Sequence, residues 1–178
     1  MLPPGSVYLQ GMEKIDVKFV VAADKVLAEL AHLGRAIAAE KYAGLLQTDL
    51  LEHYINNKFN ERALTDSINN FSSQWLVAYA GDEAVGFACL SSKGKKPPAI
   101  SAQRSIGITL YYMLQPYDKH PALLEKCLGV AAPNAAVWVA EYVNSPLLTL
   151  FEQYGFNKAG AAEYDDELPV PFVYMIKA

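Results

Sequence analysis

No run of apolar residues in this chain approaches the ~20 that a helix needs to cross a bilayer, and no basic segment followed by a hydrophobic core opens it, so neither a membrane span nor a secretory signal is expected. Cysteine is scarce. Cys89 and Cys127 each sit in an apolar run, which excludes a disulfide framework and predicts reduced, buried thiols in a cytoplasmic setting. Positive charge is not in excess either: 15 Lys and Arg against 19 Asp and Glu leave a net charge of −4, so no global field draws the chain to nucleic acid or anionic lipid. His32, His53 and His120 lie far apart without cysteine or carboxylate partners at ligand spacing, so no metal site is expected. Nucleophile-elbow, Walker and dinucleotide-binding patterns are missing as well. What remains is a small-molecule or peptide partner.

What is present is the balance of one packed domain. The 178 residues are 52% hydrophobic and 19% charged, enough to bury one core and too few for two full domains. Residues 1–14, with Pro3, Pro4, Gly5 and a second methionine at Met12, read as an N-terminal extension or a remnant of cloning, and the folded domain is expected over 15–178.

Periodicity assigns the elements. Ile15, Val17, Phe19 and Val21 alternate as a strand, and Asp24 is expected to cap a helix whose apolar stripe runs through Leu27, Leu30, Gly34, Ile37 and Ala38 until Gly44. Asp49 with Glu52 resembles a capping box for a second helix ending near Asn56, and Leu64, Ile68 and Phe71 mark a third helical face. Trp75 to Ala80 and Ala84 to Leu90 form a hairpin about Gly81 and Asp82. The loop carrying Lys93, Lys95 and Lys96 reads as a solvated connection. A strand over Ile106 to Leu114, a helix from Pro121 to Ala132, a buried strand over Val137 to Val143, a helix from Pro146 closed by Gly155, and two strands near 158–164 and 170–176 complete the chain.

The element order, the stretch Trp75 to Ala88, the run Asn144 to Phe156 and the region Asp49 to Phe71 together resemble the GCN5-related N-acetyltransferase superfamily. The stretch Trp75 to Ala88 is similar to the family's central hairpin with its Val-Gly-aromatic triplet at Val85, Gly86 and Phe87. Asn144 to Phe156 is similar to the family's late motif of Asn, small residues, an aromatic-bearing helix and Gly-Phe. The region Asp49 to Phe71, with Tyr54, Ile55 and Phe59, looks like the substrate-side helices of polyamine-type members. The resemblance implies an α/β (α+β) fold with a mixed sheet of about seven strands flanked by helices. Its fourth and fifth strands run parallel and splay apart. It also implies transfer of an acetyl group from acetyl-coenzyme A (acetyl-CoA) to a small primary amine.

Residue by residue, the family's site is incomplete here. Members place glycines between the fourth strand and its helix so that backbone amides close on a pyrophosphate. This chain has Pro116 to Leu124 there, without glycine and with Asp118 in it, so coenzyme A is expected to bind weakly or not at all. Lys119 and His120 are the candidate phosphate donors in that segment. The backbone amide near Met113 or Leu114 is the expected donor to the thioester carbonyl, and Asn144 opens the late cofactor motif. Where the family commonly carries a tyrosine that protonates the leaving thiolate stands Phe151, which has no proton to give, leaving Tyr154 as the substitute acid, with Tyr111 and Tyr112 behind it. No acidic residue occurs between Ala99 and Gln115, so Glu141 on the facing strand is the candidate base, poising a water. The alternative to a divergent acyltransferase is a catalytically silent domain of the same fold that binds a ligand or protein, with homodimerisation through its apolar helices or late strands.

Overall fold

The computed structural model describes residues 14–101, 104–165 and 167–178; the expected extension, apart from Lys14, lies outside them. Among the described residues seven strands form one mixed sheet: β1 (Ile15–Phe19), β2 (Ser73–Ala80), β3 (Glu83–Ser91), β4 (Ser105–Met113), β5 (Ala136–Tyr142), β6 (Asn157–Glu163) and β7 (Phe172–Lys177). Their spatial order is β1-β2-β3-β4-β5-β7-β6, with β4 and β5 parallel and the other neighbours antiparallel.

Alternation along the strands divides the core between the two sheet faces. Leu76, Ala78, Ala88, Ile108 and Tyr111 point to the face covered by α4 (Ala122–Ala131) and α5 (Leu147–Gln153), where Leu123, Leu124, Phe151 and Phe156 are buried. Trp75, Val77, Phe87 and Tyr112 point to the face covered by α1 (Asp24–Tyr42), α2 (Thr48–Lys58) and α3 (Glu61–Ile68), where Leu30, Ile37, Phe59 and Leu64 are buried. The α1 stripe passes close to the segment after α2. A Cβ on Gly34 would come within 2.3 Å of the Phe59 ring, so only glycine admits that approach.

Several local expectations are corrected. Asp24 does not cap α1; the N-cap is Ala23, which makes no side-chain capping bond, and Asp24 instead places its charge in the first helical turn. Asp49 likewise lies inside the first turn of α2 behind Gln47, with no side-chain cap at that helix start. The working cap is Asn60, whose side chain accepts the Ala63 amide at 2.8 Å and starts α3. Because α3 stops at Ile68, Phe71 leaves the helical face and is fully exposed. The cap of α5 is as expected: Gly155 has φ +90° and Phe156 then folds back into the core.

The connection from β4 through α4 to β5 is the parallel crossover that positions the site. Pairing between the two strands covers only Ser105↔Ala136 to Ile108↔Val139. Beyond it β5 stays bonded to β7 as far as Tyr142↔Phe172, while β4 follows β3 to Met113↔Gly86. The two strands therefore part toward their C-terminal ends, as the family resemblance implies.

Candidate active site

The parting begins at a local irregularity. Cys89 pairs with Leu110 and Leu90 with Ile108, so Thr109 is the extra residue of a bulge, and its hydroxyl donates to the Cys89 carbonyl at 3.2 Å. Past the bulge the backbone register fixes which groups face the gap. The Leu114 amide donates to the Val85 carbonyl at 2.9 Å. Antiparallel ladder bonds alternate from residue to residue, so the amides of Met113 and Tyr111 point the other way, toward the gap. Of the two expected carbonyl donors, Met113 is thus available and Leu114 is committed to β3.

Two cavities open along this gap. The larger, about 460 Å³, is walled by α2, the outer halves of β4 and β5, and the segment before β7. The smaller, about 160 Å³, lies between Met113, Gln115 and Asp118 on one side and Ser145, Pro146 and Leu147 on the other. They share Lys41, Tyr111, Tyr112 and Tyr142.

Lys41 occupies that shared wall. It lies one turn beyond Ile37 on the core-facing stripe of α1, and its ammonium sits 2.8 Å from Glu141 Oε1 and 2.9 Å from Oε2. Its side chain is 12% exposed and that of Glu141 only 3%. The rings of Tyr112, Tyr42 and Tyr142 surround the same ammonium at 5.0, 5.8 and 5.9 Å from their centroids, a distance at which the negative face of an aromatic ring attracts a cation. Glu141 Oε1 also accepts the Tyr142 amide at 3.1 Å. The candidate base is therefore held in a buried ion pair rather than against open water.

Phenols line the larger cavity. The hydroxyls of Tyr54 and Tyr112 lie 3.2 Å apart. Desolvation first, and then the neighbouring phenols of Tyr42 and Tyr54, push Tyr112 well above the ordinary tyrosine range. Tyr42 is pushed up by burial and by the Glu141 carboxylate. Both stay protonated at any working pH and serve as hydrogen-bond donors or acceptors, not as bases. Asp165 and Glu167 add carboxylates at the cavity's outer side, where Lys58 pairs with Glu167 at 3.1 Å.

At the start of α4, beyond Asp118 of the smaller cavity, two backbone positions offer an anion no free amide. After a 3-10 turn over Gln115–Tyr117, the chain reaches α4 through Asp118 to Pro121. Pro121 has no amide hydrogen, and the Ala122 amide is already taken by His120 Nδ1 at 3.2 Å. Lys119 is exposed. Asp118 lines the cavity, and partial burial raises its pKa, with Lys119 pulling the other way.

The remaining candidates lie apart from the cavities. Asn144 is exposed in the turn before α5, where the buried Ser145 accepts the Leu147 amide through its hydroxyl at 3.2 Å. Tyr154 sits at the end of α5 and donates its hydroxyl to Glu125 of α4 at 2.7 Å. Phe151 is wholly buried, packed on Tyr111 at 5.4 Å and Phe156 at 5.7 Å between ring centroids. Sequence reasoning missed Lys41, although its place four residues after Ile37 on an apolar stripe was a usable signal: a lysine on a core-facing position needs a buried partner.

No family model matches the sequence, and no curated protein matches it. Solved structures do. The PaiA N-acetyltransferase of Thermoplasma acidophilum, in complex with coenzyme A, aligns with a TM-score of 0.71 at 17% identity, covering 92% of this chain and 98% of the other. A GCN5-related N-acetyltransferase of Rhodopseudomonas palustris aligns at 0.66 and 15% identity over 92% and 94%. FeeM, an N-acyl amino acid synthase from uncultured soil microbes, aligns at 0.62 and 12% identity over 92% and 90%. Likeness at this identity speaks to architecture, and it agrees with the strand order and the parting of β4 from β5: the chain has the fold of the GCN5-related N-acetyltransferases.

Proposed function

We propose that the protein is an N-acyltransferase that moves an acetyl group from acetyl-CoA to a small primary amine, with a weakened hold on the nucleotide end of the donor. The observation that carries this reading is the gap beyond Ile108↔Val139, with the Met113 amide facing it and a cavity on each side.

When bound, acetyl-CoA supplies an acyl group activated as a thioester. The chain's own groups divide the remaining work. The Met113 amide is placed to donate to a carbonyl in the gap, where a preorganised donor stabilises developing negative charge. The smaller cavity suits the narrow thioester arm, and the larger suits the acceptor. Aromatic rings suit an amine's cation, and with Glu141 paired to Lys41 and Glu167 paired to Lys58, Asp165 is, among the described residues, the lining carboxylate with no ion pair to receive it. Glu141, a carboxylate on β5 in the wall of the larger cavity, takes the amine's proton, which requires Lys41 to yield its place.

The end of α4 supports the weak nucleotide hold. Pro121 lacks a donor, the Ala122 amide is used internally, and Asp118 brings negative charge. Two missing charge-assisted hydrogen bonds, each about 1.5–3 kcal/mol, lower affinity on the order of a hundredfold or more.

The experiment is incubation with acetyl-CoA and a panel of primary amines, following free thiol and acetylated amine together. Coupled appearance of both supports the reading. Binding of acetyl-CoA without transfer to any amine favours the silent ligand-binding alternative instead.

A further inference from the structure

We infer that Lys41 is itself an acyl acceptor: an acyl thioester lying between β4 and β5 transfers its acyl group to Lys41 Nζ, leaving an amide in the wall shared by the two cavities. The inference rests on the reading above, that an acyl thioester occupies this gap. It goes beyond that reading by assigning a covalent modification to a residue of the chain.

Three observations carry it. Lys41 lines both cavities, whereas Lys58 and Lys95 line only the larger. Lys41 therefore borders both the space proposed for the donor arm and the space proposed for an external amine. A carboxylate is already in contact with it, Glu141 at 2.8 Å, positioned to receive a proton from the ammonium. The surrounding rings of Tyr42, Tyr112 and Tyr142 fix the nitrogen over the gap rather than letting it swing into solvent. This is the site an acceptor ammonium would take, filled by the chain's own side chain.

The chemistry balances without a further reactant. The ammonium passes one proton to Glu141, and the neutral amine attacks the thioester carbonyl. A C–N bond forms and the C–S bond breaks. The second nitrogen proton leaves with the thiolate as thiol, and the proton on Glu141 is released to water. No electron transfer occurs. Acylation removes the cation from the ion pair and leaves Glu141 free to serve an incoming amine, so the first turnover on Lys41 opens the base for later ones. It also tolerates the missing thiolate acid at Phe151, since a single slow transfer places little demand on leaving-group protonation.

The test is incubation of the full chain with acetyl-CoA, then proteolysis and mass spectrometry of every lysine peptide, with binding followed in parallel by calorimetry. The expected result is acetylation of Lys41 at least about tenfold faster than of Lys93 and Lys96, as oriented groups react faster than free ones. Glu141→Gln should slow it on the order of a hundredfold. Lys41→Arg, which keeps the cation beside Glu141 and so preserves the fold, should abolish the modification without Lys58 taking it over. Equal labelling of all exposed lysines, or an unmodified Lys41 in protein that demonstrably binds acetyl-CoA, overturns the inference and leaves the acyltransferase reading standing. Absence of binding at millimolar acetyl-CoA removes both.

Discussion

The ammonium of Lys41 and the carboxylate of Glu141, a hundred residues apart in the chain, meet at 2.8 Å over the point where β4 and β5 separate, both side chains almost withdrawn from water. Taking one partner away leaves the other charge buried and unpaired, at a cost of about 3–5 kcal/mol. Lys41→Met should therefore lower the unfolding free energy in urea by about that amount. The double variant Lys41→Met with Glu141→Leu should recover most of the loss, because a buried pair replaced by apolar groups is often neutral. Equal stability of wild type and the single variant would show that the pair is solvated.

Asp118 gives the smaller cavity a pH response with a defined sign. Burial raises its pKa, so its carboxyl becomes neutral at a higher pH than an exposed aspartate. As pH falls through that raised value, the negative charge beside the gap disappears and affinity for an anionic donor rises. Asp118→Asn should tighten acetyl-CoA binding at neutral pH by roughly tenfold, about 1.4 kcal/mol, and flatten the pH dependence attributable to this group. The same shift means that the folded state binds the proton more tightly, so this residue's contribution to stability falls as pH rises from the unfolded toward the folded value. Titrations of both proteins across the acid range check the sign.

Phe151 stands where the family resemblance implies a thiolate acid, and it is sealed between Tyr111 and Phe156. A hydroxyl added there meets packed rings, so Phe151→Tyr is expected to lose about 1–3 kcal/mol of stability with no gain in turnover. Thermal unfolding and a thiol-release assay on one preparation measure both quantities. Faster thiol release would show that this ring reaches the gap in solution.

Tyr154 is bonded to Glu125 between α4 and α5, outside both cavities. Tyr154→Phe removes one exposed hydrogen bond, so transfer rates and their pH profile should be unchanged. A drop of a hundredfold in turnover, the size expected for a lost general acid, would return Tyr154 to the list of catalytic groups.

What the sequence made legible was whatever short-range pattern encodes. Gly81 and Asp82 between alternating runs gave the β2–β3 hairpin, Gly155 gave the end of α5, and the strand-helix-strand order around α4 gave the parallel pair. The helix starts were misread because Asp24 and Asp49 are good capping residues that fell one or two positions inside their helices, where their charge still favours the N-terminus. The site was harder, since its central contact joins α1 to β5 and no local pattern reports a partner that distant. The choice between the Met113 and Leu114 amides was out of reach as well, because it depends on ladder parity past the Thr109 bulge.

Calorimetric titration with acetyl-CoA decides whether the gap between β4 and β5 takes an acyl thioester while the start of α4 gives its phosphates little. Saturable binding with a dissociation constant in the sub-millimolar range is expected, the weak value that follows when about two charge-assisted hydrogen bonds are missing. A constant in the low micromolar range would contradict the weakened phosphate end. No heat or competition at millimolar acetyl-CoA would contradict the acyltransferase reading altogether.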